Sequence, residues 1–299
     1  MEVHNAANPE SPWDPEATRG WLATKDLPWS LWLVRAGDKA VAAYLVEVQP
    51  ERSAEIELAV LPEYREKALY SRLYDHAEGL LRDAEKVLTF ARSNESELLA
   101  LLEARGYHED ARERFWSLPL PPLAGRLRRE HAEALRQMAE AGIQVTTLAA
   151  DPHPDKLREL HAVHAEASAD VPSSVARPPL SWAVFEAWLA RPGVSPERIW
   201  IARAGERIVG FSALSYPPHG HVETDFTGVA RSWRGRGVGR AVKLASLVQA
   251  LDLGVERVGT DNDSRNAPIL RLNQGLGYEV AYEVVKLLRT SSSPDARPG

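Results

Sequence analysis

The sequence predicts an α+β protein built from two copies of one mixed α/β unit, and three observations carry that expectation. First, Leu31-Trp32-Leu33-Val34-Arg35-Ala36-Gly37-Asp38-Lys39-Ala40-Val41 is matched by Ile199-Trp200-Ile201-Ala202-Arg203-Ala204-Gly205-Glu206-Arg207-Ile208-Val209. Each stretch has the pattern of a strand, a tight turn with glycine and an acid, and a returning strand, which is a β-hairpin signal. Second, the segments downstream recur in the same order in both halves, and a period this long with two copies means duplicated domains rather than a solenoid. Third, 299 residues suit two domains of ordinary size, each able to bury its own core.

Taken in order, residues 1–12 are polar and are expected to form a disordered tail ahead of a first domain over residues 13–120. The first hairpin leads to a third strand (Glu55 to Val60), an arginine, an amphipathic helix (Lys67 to Asp83), a short strand (Val87 to Ala91), a second helix and Gly106-Tyr107. Leu118-Pro119-Leu120-Pro121-Pro122 closes this half, because consecutive prolines continue neither a ladder nor a helix. Residues 121–142 read as a linker carrying an exposed or bridging helix, with Arg126, Arg128, Arg129, Glu130 and Glu133 among Leu127, Leu135 and Met138. The second domain, residues 143–290, repeats the series: hairpin, strand (Val222 to Val229), helix (Ala241 to Leu253), strand (Arg257 to Thr260), helix, Gly277-Tyr278. The first half has less sequence before its arginine and is expected to lack or abbreviate the opening strand and helix. Residues 291–299 are expected to be a second disordered tail.

Composition narrows the function classes. Hydrophobic residues at 44% and charged residues at 26% are those of a soluble globular protein. A net charge of −6 argues against non-specific nucleic-acid binding, which needs a basic face. The chain starts without a signal peptide and has no apolar run long enough to cross a bilayer, so a cytoplasmic location is expected. Without cysteine there is no disulfide, thiol nucleophile or Cys-ligated zinc. His219 and His221 are not spaced as a metal site, and no metal is expected.

The most informative segment is Arg234-Gly235-Arg236-Gly237-Val238-Gly239-Arg240, between a strand and a helix. Alternate glycines let the backbone turn tightly so that several N–H groups converge on one anion, and the helix adds its positive end. A pyrophosphate fits such a turn. The spacing is not the Gly-x-Gly-x-x-Gly of dinucleotide-binding folds, and the Gly-Lys-Ser/Thr of a P-loop is absent.

The order strand, Arg-x-x-Gly-x-Gly, helix, strand, Asn-capped helix, Leu-Gly-aromatic resembles the GNAT superfamily of acyl-CoA-dependent N-acetyltransferases. The matching residues are Arg234 to Gly239 and Asn266-Ala267-Pro268-Ile269-Leu270 through Leu276-Gly277-Tyr278. Two copies in one chain look like the tandem GNAT proteins, distantly like mycothiol synthases, though no residue singles out that branch. The resemblance implies two GNAT-like domains, each a mixed, mostly antiparallel twisted sheet flanked by helices. It also implies acetyl-CoA as co-substrate, with its pyrophosphate on the N–H groups of Arg236, Gly237, Val238, Gly239 and Arg240. Thr227, Gly228 and Val229 would line the pantetheine arm, Arg234 would also bind the coenzyme, and Asn266 would bond the pantetheine or adenosine-diphosphate arm. Arg236, Arg240 and Lys243 would supply charge to the phosphates.

Acetyl transfer to an amine requires a polarised thioester carbonyl, an amine that has lost its proton, and a departing thiolate. The resemblance assigns Val229 N–H to the oxyanion and Glu223 to the base. Asp225, two residues on, shares the strand face unless a bulge intervenes. Asn273 stands where many family members have a tyrosine that protonates the thiolate, and Tyr278 and Tyr282 are possible substitutes. The first half has Arg65-Glu66-Lys67-Ala68-Leu69-Tyr70 in place of the glycine turn, which would crowd and repel a pyrophosphate. It is therefore expected to be a degenerate copy. His161, His164, Trp182 and Trp188 lie in the region expected to meet substrate. The implied function is direct transfer of acetyl to a primary amine of a small molecule or peptide in the C-terminal domain. The alternative is a non-catalytic acyl-CoA-binding or regulatory module.

Overall fold

The computed structural model describes residues 1–10, 12–23, 27–218 and 221–291. The first half contains β1 (Trp29–Ala36), β2 (Lys39–Gln49), β3 (Ser53–Val60), α3 (Lys67–Gly79), β4 (Lys86–Arg92), α4 (Ser96–Ala104) and β5 (His108–Pro119), preceded by α1 (Glu2–Ala7) and α2 (Pro15–Ala23). After α5 (Ala124–Glu140) come β6 (Ile143–Thr147), α6 (Lys156–Ser168) and α7 (Trp182–Leu189). They lead into β7 (Ile199–Ala204), β8 (Arg207–Ser215), β9 (Val222–Val229), α8 (Val238–Asp252), β10 (Arg257–Asp263), α9 (Ala267–Leu276) and β11 (Glu279–Thr290). From β1 and β7 onward the two halves have the same element order, as the repeated sequence predicts. Among the described residues, the start of the first half has no strand equivalent to β6.

Two-residue turns at Gly37-Asp38 and Gly205-Glu206 close the matched hairpins, with Ala36 opposite Lys39 and Ala204 opposite Arg207. Most pairings are antiparallel; β3 with β4 and β9 with β10 are parallel. All described strands join one sheet in the order β1-β2-β3-β4-β11-β5-β10-β9-β8-β7-β6. The final strands of the halves therefore trade places. β11 pairs with β4 (Val285 with Ala91, Leu287 with Thr89), and β5 pairs with β10 (Trp116 with Thr260, Leu118 with Val258).

The cores follow the exchange. Around α3 and α4, Tyr74, Leu102 and Tyr107 pack with Val285 and Leu287 of β11. Around α8, Leu244 and Leu247 pack with Trp116 and Leu118 of β5. Each half completes its apolar interior with a strand encoded in the other.

Two expectations need correction. Residues 121–142 were expected to form an exposed or bridging helix, but α5 lies on α8 and buries Leu127, Ala134 and Met138. Those apolar positions are seven and four residues apart and fall on one stripe of the helix, while the arginines face outward. The start was expected to be disordered. Instead, α1 buries Val3 and Ala7 against Ala59 and Leu61. Arg65 Nη2 donates to the carbonyl of Ala7 (2.8 Å), and Arg92 Nη2 donates to Asn8 Oδ1 (3.1 Å) and pairs with Glu10. Arg65 follows β3 and Arg92 ends β4, so residues 7–10 span the gap between these two strands beyond their last paired residues, Ile56 and Thr89. The predicted C-terminal tail lies outside the described residues from residue 292 onward. No helix among the described residues is long and apolar enough to cross a membrane.

A chain ending at residue 278 would lose the neighbour of both β4 and β5, and is expected not to fold in either half. The full chain should unfold in urea in one transition that coincides by far-ultraviolet circular dichroism and tryptophan fluorescence. Two separated transitions would contradict the exchange. Leu287→Ala, in the first half's core, is expected to destabilise by about 2–5 kcal/mol.

Candidate active site

β9 and β10 run parallel for two register pairs, Val222 with Val258 and Glu223 with Gly259, and then separate. Each continues along an antiparallel neighbour, β9 on β8 and β10 on β5, and the twist of these two ladders carries the strands apart. The gap opens into a cleft of about 1110 Å³, with Gly235, Gly237, Gly239 and Arg240 at one end and Glu113, Asp261 and Arg177 among its other lining residues.

Strand geometry determines which backbone groups face this cleft. The N–H of Ala230 donates to the carbonyl of Val209 at 2.9 Å, so these two residues form a hydrogen-bonded pair. Antiparallel pairs alternate, which makes Gly210–Val229 and Ser212–Thr227 non-bonded pairs. The N–H groups of Val229 and Thr227 therefore point away from β8, toward the cleft that both residues line. Gly228 between them is buried because a Cβ would lie 2.8 Å from Ala167 Cβ of α6.

The glycine turn has the conformation its sequence requires. Gly237 sits at φ +83° as the residue before α8, a left-handed geometry that costs an L-residue roughly 1–2 kcal/mol. Beyond it the first N–H groups of α8, from Val238 to Arg240, have no helical acceptors and face an anion site at the positive helix end. The side chain of Val238 is buried core, so only its backbone is on offer, and Gly239 packs against Val229 Cγ2. Arg234 is used structurally: Nε donates to the carbonyl of Val229 (3.0 Å) and Nη1 pairs with Asp170 (2.7 Å). Arg240 is not a free phosphate contact either, since Nη2 pairs with Glu130 of α5 at 2.8 Å. Arg236 is exposed at the lip with its guanidinium 5.0 Å from the Trp233 ring centre. Asn266 lines the cleft, and its side chain does not cap α9, which leaves the amide available to a ligand.

The sequence of the acetyltransferase (GNAT) family matches residues 1–107 and 159–278. The chain belongs to the GNAT family. It is 29% identical over 83% of its length to a mycothiol acetyltransferase of Pseudarthrobacter chlorophenolicus, covering 75% of that protein. It is 28% identical over 91% of its length to another from a Nocardioides strain, covering 89% of it. Among solved structures, a tandem GNAT protein from the clavulanic acid biosynthesis pathway superposes with a TM-score of 0.69 at 18% identity, over 98% of this chain and 94% of that one. A GCN5-related N-acetyltransferase from Sphaerobacter thermophilus gives 0.67 at 23%, over 97% and 90%. The protein is thus an acetyl-CoA-dependent acetyltransferase of tandem GNAT architecture.

Within this GNAT site the carboxylates are not arranged as the sequence suggests. Glu223 stands at the apex where the strands part, over Gly259, and is not among the residues lining the cleft. Although it retains surface exposure, burial of its carboxyl among protein atoms and the nearby charge of Asp225 push its pKa up. Asp225 is the extra residue of a bulge, since Ala213 pairs with Phe226 and Leu214 with Thr224. Its carboxylate is held by Arg191 Nη2 (2.9 and 3.2 Å) and Trp188 Nε1 (3.1 Å), which takes it out of contention as a base. Asp261 of β10 is a carboxylate that sequence reasoning missed. It opens into the cleft and is exposed there, yet the protein atoms crowding its carboxyl, with Glu113 and then Glu223, push its pKa up. Glu113 comes from the other half; it accepts from Lys286 Nζ at 3.0 Å. No local pattern joins Glu113 to Asp261, because the strand exchange alone brings them together.

The back wall also differs from expectation. Asn273 is fully buried and does not line the cleft: Nδ2 donates to Asn262 Oδ1 (2.6 Å) and Oδ1 accepts from Lys243 Nζ (2.8 Å). Tyr278 is core, with Lys243 Nζ 4.9 Å from its ring centre. Tyr282 stacks on Phe115 at 4.4 Å, outside the cleft lining. Lys243 does not reach a phosphate. It is wholly buried on the cleft wall, where burial pushes its ammonium down to about 7.

Residues 169–180 form much of the remaining lining. They are fastened to the first half: Val175 is buried against Leu88 and Leu288, Ser174 bonds Asp110, and Arg177 pairs with Glu55 at 3.0 Å. His161, Trp182 and Trp188, expected near substrate, cluster around Phe185. His164 lines the cleft but is mostly buried and held down to about 4 by that burial. His219 lies outside the described residues, and among those described no group of metal-ligating side chains forms.

Lys243 generates a stability prediction. Between about 7 and its ordinary 10.5 the unfolded chain holds a proton that the folded protein does not, so this group's contribution to stability improves as pH rises through that window. Below it the full burial penalty applies. Lys243→Met is expected to stabilise the protein by roughly 2–5 kcal/mol at low pH, with the gain shrinking as pH is raised. Urea unfolding of both proteins across this range checks it.

Proposed function

We propose that the second half, approximately residues 143–290, transfers acetyl from acetyl-CoA directly to a primary amine, and that the first half, residues 13–120, is a degenerate copy. The observation that carries this reading is the splay itself. It offers two strand N–H groups to a pantetheine arm, an anion-binding turn at one end and a carboxylate of raised pKa beyond. The second half alone has the glycines; in the first, residues 7–10 of the chain cross the equivalent gap.

In this mechanism the pyrophosphate sits on the N–H groups from Arg236 to Arg240, and Thr227 and Val229 bond the extended arm. Asp261 takes a proton from the acceptor ammonium, its proton affinity raised by the protein atoms crowding its carboxyl and by the charges of Glu113 and Glu223. The amine nitrogen attacks the thioester carbon, Val229 N–H stabilises the oxyanion, the nitrogen gives up its second proton to solvent, and the C–S bond breaks with its electron pair on sulfur. The relatives named mycothiol acetyltransferases make the unacetylated form of mycothiol one acceptor to test.

Thiol release from acetyl-CoA against a panel of amines tests the reading. Asp261→Asn is expected to lower kcat about 10²–10⁴-fold and to flatten the low-pH limb of the rate profile. Gly237→Val is expected to remove coenzyme A binding by calorimetry while the fold persists. More than one coenzyme A per wild-type chain, or full activity in Asp261→Asn, would contradict it.

A further inference from the structure

The mechanism above gives no role to the buried ammonium of Lys243. Lys243 makes no ion pair among the described residues; its ammonium has Asn273 Oδ1 at 2.8 Å and the face of Tyr278. One acceptor satisfies one of three N–H donors, and the side chain forms part of the cleft wall. A buried, under-bonded ammonium is expensive, and methionine would fill the space without that penalty.

Its place along the cleft suggests a use. α8 begins at the glycine turn, and Lys243 lies five residues past Val238, about 8 Å further along the helix axis. Through Asn273 it connects to Asn262, the neighbour of Asp261 on β10. The ammonium thus stands between the end that would hold phosphates and the carboxylate that would receive the amine. That is the stretch a coenzyme A thioester must cross.

We propose that Lys243 is a catalytic residue that donates a proton from Nζ to the coenzyme A sulfur as the thioester C–S bond breaks. The inference rests on the acetyl-transfer reading. The C–S electron pair goes to sulfur, the Nζ–H proton follows it, the acylated nitrogen releases its second proton to solvent, and the products are free thiol, amide and a neutral lysine. Lysine then regains, through solvent, the proton that Asp261 took from the amine. With its ammonium near 7 and a free thiol near ~8.5, the transfer runs downhill. Asn273 is a positioning residue, holding Nζ at the wall.

The experiment compares wild type with Lys243→Met on acetyl-CoA and on its selenoester analogue, whose more acidic leaving group departs without a proton. With the thioester, Lys243→Met should lose about 10²–10³-fold in kcat while KM for acetyl-CoA stays within about threefold, and the alkaline limb of the pH profile should vanish. With the selenoester, its rate should return to within about tenfold of wild type. Equal losses on both donors, a loss confined to KM, or an unchanged rate would each overturn the assignment while leaving amine acetylation standing. Failure of wild type to acetylate any amine would overturn both. The melting temperature of Lys243→Met, expected to match or exceed wild type, excludes misfolding as the cause.

Discussion

A parallel strand pair that stays together for two residues and then parts leaves backbone N–H groups inside a protein with nothing to bond. β9 and β10 are in that position, and much of the second half follows from it. The strands cannot close the gap, because each is committed along its other edge to an antiparallel neighbour. Polar groups that would be a liability elsewhere become a mould for an extended ligand with its own amides. The glycine turn and α8 supply the charge-seeking end of the same mould, and Arg234, tied to Val229 and Asp170, keeps the turn in register with the strand.

What could be read from sequence was what local rules control. The hairpins, the third strands, the two long helices and the anion turn are encoded by periodicity, Gly-acid turns and glycine spacing, and all appear where expected. The catalytic side chains were less legible. Asp225 looked like a partner to Glu223, but the bulge at that residue and the reach of Arg191 are invisible to alternation counting. Asn273 invited comparison with a thiolate-facing residue, yet it points into the core because Lys243 and Asn262 satisfy it there. Asp261 gave no signal of its own; its proton affinity is raised first by the protein atoms crowding its carboxyl and then by Glu113, which reaches it only through the exchange of β5 and β11. The packing of α5 and α1 was hidden behind charge-rich composition, since a few apolar residues on one stripe are enough to dock a short helix.

The first half does more than fill space. It contributes Glu113 to the cleft and anchors residues 169–180 through Val175, Ser174 and Arg177. Its own gap is crossed by residues 7–10, with Arg65 and Arg92 bonding a stretch of the same chain. In one copy of the unit the opening between the strands is a cleft, and in the other it holds residues 7–10. The cleft of the second copy takes part of its lining and its anchorage from the first.

The position of β11 also has a consequence for biosynthesis. The strand that separates β4 from β5 follows every other described strand in the chain, so the first half emerges with the facing edges of β4 and β5 unpaired. β4, paired only with β3 until then, must wait for β11 to be translated before its second neighbour exists. During that interval two open strand edges are available for wrong partners. A nascent chain of this kind would need chaperone cover until β11 emerges, and that strand then closes the sheet in a single late step.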